Sequence, residues 1–60
     1  MKSYIAKNGY RVEEFKTLSN AVERCLKWDD WYGGDRVITL LAEDESGQLW
    51  ALDPFTGEIL

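Results

Sequence analysis

Few side chains in this sequence could carry chemistry: one thiol, Cys25, and eleven carboxylates, some of them adjacent, as at Asp29-Asp30 and Asp44-Glu45. Neighbouring carboxylates can divide acid and base roles when a cleft drives their pKa values apart. Sixty residues hardly build such a cleft, so the expectation is a protein that is not an enzyme. Histidine is absent, which leaves every serine and Cys25 without an imidazole base and triad hydrolysis without its second member. Gly33-Gly34 and Gly57 lack both the spacing and the following Lys-Ser or Lys-Thr of a phosphate-cradling loop. Asp44-Glu45-Ser46-Gly47 sets oxygen ligands beside a glycine, without the alternating acids and distant glutamate of a calcium loop. A structural zinc site would need several thiolates where the chain has one. These residues predict no catalytic site, no metal site and no cofactor, and shift attention to what acids and aromatics do at a surface.

The net charge of -4 is unevenly spread. Residues 1–28 hold six basic groups against three acids, giving +3, whereas residues 29–60 hold Arg36 against eight acids, giving -7. An acidic end of this kind repels phosphate backbones and attracts basic protein surfaces through its long-range potential. The first seven residues lack the apolar core of a signal peptide, and no run approaches the roughly 18 apolar residues that span a bilayer. The reading is a soluble intracellular chain with no membrane segment, and a single thiol fits a reducing compartment.

Those groups must be positioned by few elements. Asn8-Gly9 separates two strand-like runs and is the favoured two-residue hairpin loop, which would pair Ile5 with Val12 and Lys7 with Tyr10. Ile5, Tyr10 and Val12 then share one face and Arg11 and Glu13 the other, one side going in and one staying wet. Thr17 or Ser19 can cap a helix in which Leu18, Ala21, Val22, Cys25 and Leu26 form one apolar stripe. The spacing predicts a helix over residues 18–31, braced by Glu23 and Lys27 and ended by Gly33-Gly34, with Cys25 as a small core residue. Arg36–Glu43 and Gln48–Asp53 read as a second hairpin around Asp44–Gly47, and Asp53–Gly57 as a turn that lets Glu58–Leu60 run back along the sheet. The whole is one α+β domain, residues 1–60, of order ββαββ: a small antiparallel sheet with one helix packed on one face.

The second hairpin is apolar on both sides. A four-residue loop pairs Glu43 with Gln48 and puts Val37, Thr39, Leu41, Trp50 and Leu52 on one face, with Ile38, Leu40, Ala42, Leu49 and Ala51 on the other. A helix of about 14 residues is about 21 Å long, enough for one face of a small sheet. Small residues admit a helix closely, so the face of Ala42 and Ala51 is assigned to it. Leu41, Trp50 and Leu52 then remain as apolar anchors toward a partner or a second copy, unless the first hairpin, Phe55 or Trp31-Tyr32 folds over them. Asp29, Asp30, Trp31, Asp44 and Glu45 complete this expected site as an acidic and aromatic rim.

Two stretches resemble known proteins. Residues 47–60, GQLWALDPFTGEIL, resemble a repeat of quinoprotein-type β-propellers, in which a Gly-x-Leu-aromatic-Ala-Leu-Asp strand precedes a Thr-Gly turn. No second copy occurs at any period, so the likeness is read as a shared solution for a hairpin edge and its turn, with no cofactor implied. From Phe15 to Phe55, the succession of strand, Thr-Leu-Ser-x-Ala helix start, glycine, apolar strand, acidic turn and Leu-Trp-Ala-Leu strand resembles the small α+β proteins with which bacteriophages block host enzymes or defence systems, some anti-CRISPR proteins among them. That resemblance implies a cytoplasmic inhibitor or adaptor in a bacterial host, occluding a protein or nucleoprotein complex, often as a dimer. The alternatives are a nucleic-acid-binding regulator using Lys2, Lys7, Arg11, Lys16 and Arg24, which the acidic second half disfavours, and a structural homodimer stacked through Trp50.

Overall fold

The computed structural model describes residues 1–33 and 37–60. Five elements follow one another: β1 (Ser3–Asn8), β2 (Arg11–Phe15), α1 (Leu18–Tyr32), β3 (Ile38–Glu43) and β4 (Leu49–Leu52). The strands form one antiparallel sheet in the order β2-β1-β3-β4 with α1 packed on it, the expected α+β architecture. Gly34, and Arg36 as the first residue of the third strand, lie outside the described residues.

The first hairpin closes one residue later than the Asn-Gly pattern predicts, which shifts the pairing of its strands by two. Asn8 pairs with Arg11 and Ile5 with Glu14, so the loop is Gly9-Tyr10. Centring the loop on Asn8-Gly9 would demand positive φ at Asn8, whereas here only Gly9, at φ 64°, leaves the ordinary region. A shift of two keeps side-chain parity, so Ile5 and Val12 still share a face while Tyr10 moves to the loop tip. The side that goes in is the other one: Tyr4 and Ala6 lie beneath α1, and Val12 is exposed.

Thr17 is the helix cap, its hydroxyl accepting from the Asn20 amide at 3.3 Å, and Gly33 ends α1 in the left-handed region. Glu23 and Lys27 pair at 3.4 Å. The buried stripe runs through Ala21, Cys25 and Trp28, with Leu18, Val22 and Tyr32 at its borders. Leu26, expected on that stripe, is 47% exposed, because the buried face continues from Cys25 to Trp28 and rotates Leu26 outward. Beneath the helix, Ala6, Leu40, Ala42 and Leu52 are fully or nearly fully buried. Ala6, Ala21 and Ala42 let helix and sheet approach closely enough for Trp28 to fill the remaining space.

The second hairpin departs from expectation by one residue, and every side chain of β4 changes side. Gly47 donates to the Asp44 carbonyl at 3.0 Å and takes φ 91°, and the Asp44 amide donates to the Gln48 carbonyl at 3.0 Å. This is a turn followed by a glycine bulge, which leaves three residues in the loop and pairs Glu43 with Leu49, not Gln48. Ala42 therefore lies opposite Trp50 and Leu40 opposite Leu52, on the helix side, while Leu41 lies opposite Ala51 on the other. After β4, Asp53 accepts from Phe55 and Thr56, the chain turns at Gly57, and Ile59 pairs back against Leu52, as the Asp-Pro-Phe-Thr-Gly pattern predicts.

Candidate interaction surface

The register decides which expected site residues meet, and it separates the three apolar anchors. Leu52 is 4% exposed and belongs to the core under α1, so it cannot touch a partner. Trp50 is on the same side, at the border of the sheet, where its indole Nε1 donates to Asp44 Oδ2 at 3.0 Å. Leu41 alone is on the face away from the helix. Grouping Leu41 with Trp50 and Leu52 is corrected by the glycine bulge, and so is the assignment of Leu49 and Ala51 to the helix side.

The acidic rim is also divided. Asn8, Arg11 and Ile38 mark one end of the sheet, and Tyr4, Phe15, Ala42 and Trp50 lie toward the other. α1 starts beside Phe15, and Gly33 must return to Ile38 within five residues, so Asp29, Asp30 and Trp31 sit at the Ile38 end. Asp44 and Glu45 form the β3–β4 tip at the opposite end. Trp31 is 60% exposed and Asp29, Asp30 and Glu45 are exposed, yet these groups do not surround one patch. Asp44 is bonded internally: its Oδ1 accepts from the Ser46 hydroxyl at 2.6 Å, the Ser46 amide at 2.9 Å and the Gln48 amide at 3.0 Å. The Ser46 hydroxyl and then the Trp50 indole pull its carboxyl down from 3.8 to about 2.

What the topology assembles instead is the sheet face opposite α1. Its middle row runs Glu14, Ile5, Leu41, Ala51 across all four strands. One flanking row is Val12, Lys7, Thr39 and the other is Ser3, Glu43, Leu49. Ile5 and Leu41 are half-buried by their neighbours, and Val12, Leu49 and Ala51 are exposed. Among the described residues no helix or strand lies on this face. The first hairpin widens the sheet edgewise, Tyr32 joins the helix-side core, and Phe55 stays 44% exposed. Ser3 Oγ donates to Glu43 Oε1 at 3.5 Å and holds that carboxylate at the border of the face. Ile5 and Val12 were legible as a hairpin face; their union with Leu41 depends on β1 lying beside β3, which no local pattern encodes.

The basic residues of the first half do not gather either. Lys7 is on the open face, whereas Arg11 and Arg24 are on the helix side, where they share one oxygen of Glu13 at 3.9 and 3.8 Å. Cys25 is fully buried, and burial pushes its thiol up from 9.0 to about 11, so it stays protonated at neutral pH. Among the described residues no group of three or more Cys, Asp or Glu side chains could hold a metal ion, and no helix is long and apolar enough to cross a membrane. No protein-family model matches the chain, and no curated protein or solved structure does.

Proposed function

We propose that this chain is a small acidic protein-binding module, acting as an inhibitor or adaptor that occludes a protein or nucleoprotein complex in a bacterial cytoplasm. The observation that carries the reading is the open sheet face centred on Ile5 and Leu41, an apolar row bounded by Lys7, Glu14 and Glu43. An apolar centre with a charged border is the anatomy of a protein contact. With a net charge of -4 the chain favours basic partners during encounter, an effect that salt weakens. The phage-inhibitor resemblance supplies the bacterial setting; the open face supplies the mode of action.

The test is affinity capture from bacterial lysate with the wild type, Leu41→Asp and Trp31→Ala. Circular dichroism checks that each variant keeps its fold. A protein retained by wild type and Trp31→Ala but lost with Leu41→Asp supports contact through the open face. Retention undiminished by Leu41→Asp removes that face from the contact. Loss with Trp31→Ala alone moves it to the acidic helix end.

A further inference from the structure

We infer that the open sheet face closes on a second copy of this chain, in a face-to-face pair related by a two-fold axis perpendicular to the strands. The inference rests on the reading of that face as a protein contact: the second copy is its occupant in the free protein, and a target that binds the face displaces it. It is carried by the arrangement of charge. Lys7 and Glu43 stand at opposite ends of the face, on the central strands β1 and β3, and neither has an ion-pair partner among the described residues. The apolar row of Ile5, Leu41 and Ala51 lies between them. The two charged rows are four residues apart, about 13 Å at strand rise.

A two-fold axis along the apolar row reverses strand direction in the second copy. Ile5 then faces Ile5 and Leu41 faces Leu41, while the Lys7 row of one copy opposes the Glu43 row of the other. Lys7 and Glu43 occupy neighbouring strands about 4.8 Å apart, within reach of a lysine across sheets about 10 Å apart. Two such pairs form, one at each end. The other in-plane axis, parallel to the strands, sets the Lys7 rows together and the Glu43 rows together, so charge selects the first arrangement. Glu14, on edge strand β2 in the same row, meets its own copy across the axis. Its exposed position at the rim leaves that like-charge contact screened by water, against two opposite-charge pairs nearer the centre. A short chain whose own core is small gains in this way the second layer that its sheet lacks.

Analytical ultracentrifugation of the full chain across a dilution series tests the pairing, with Lys7→Glu, Glu43→Lys, the double variant carrying both, and Leu41→Asp. The expected result is a wild-type dimer whose dissociation constant rises about tenfold or more in each single charge variant and returns to within a few-fold of wild type in the double one. Leu41→Asp should give a folded monomer. A wild type that stays monomeric to millimolar concentration, single variants that leave the constant unchanged, or a double variant no better than the singles each overturn the pairing. The two readings fail separately. A monomeric wild type that still loses lysate capture with Leu41→Asp sinks the dimer and leaves the contact face; a dimer broken by Leu41→Asp with capture unchanged does the reverse.

Discussion

Asp44 holds four donors on two oxygens, and these bonds decide how the second hairpin closes. All four favour the carboxylate, so its folded pKa lies below the unfolded one. A depressed pKa contributes stability that is full above the unfolded value, here 3.8, and is lost as pH falls through the folded value of about 2. Wild type should therefore lose stability through that window, while Asp44→Asn, less stable at neutral pH, should lose less of what it has. Thermal melts of both proteins at neutral pH and across the acid range check this, and parallel acid curves would refute it. The expected pairing makes Trp50 a binding anchor by setting it beside Leu41. Its hydrogen bond to Asp44 adds the role of a hairpin clamp, which is invisible without the register.

Among elements, α1 is where local sequence was most informative. Thr17, the Glu23–Lys27 pair and Gly33 are short-range signals, and each does what its spacing implies. The hairpins were legible as hairpins but not in register, because one glycine in a loop can sit at the first turn position, the second, or a bulge, and each choice re-pairs the strands. Gly9 shifted the pairing by two and preserved the faces; Gly47 shifted it by one and exchanged them. The candidate site inherited that error, since two of its three apolar anchors are on β4. The glycines also differ in what they tolerate. Gly33 has φ 60° with nothing within 4 Å of an added Cβ, so Gly33→Ala should cost only the left-handed backbone, about 1 kcal/mol. At Gly57 a Cβ would meet Leu18 Cδ2 at 3.1 Å, and φ is 81°. Gly57→Ala should cost more than Gly33→Ala and loosen the turn against the start of α1. Urea melts of the two variants rank them, and equal midpoints would show that the contact with Leu18 yields freely.

At the scale of the whole molecule, few side chains hold the fold. Domains of this kind are stable by about 0.05–0.15 kcal/mol per residue, which is roughly 3–9 kcal/mol for a chain this long. Removing a buried tryptophan typically costs about 3–5 kcal/mol. Trp28 is 1% exposed and is the largest side chain in the core, so Trp28→Ala should remove roughly half or more of that stability. Thermal melts followed by circular dichroism would show it, and an unchanged midpoint would mean that the surrounding alanines collapse into the cavity. The strand order carries one more consequence, for the route by which the chain folds. Each hairpin joins neighbours in sequence, but the seam between them, β1 on β3, joins residues as far apart as Ser3 and Glu43, 40 positions along the chain. Two-stranded ribbons are marginal alone, and closing a long loop costs entropy before its contacts return anything. The barrier to folding should therefore lie at that seam, with α1 drawing the halves together. Changes at Ala6 or Leu40, where the seam meets the helix, belong to the rate of folding, and changes at the hairpin tips to the rate of unfolding.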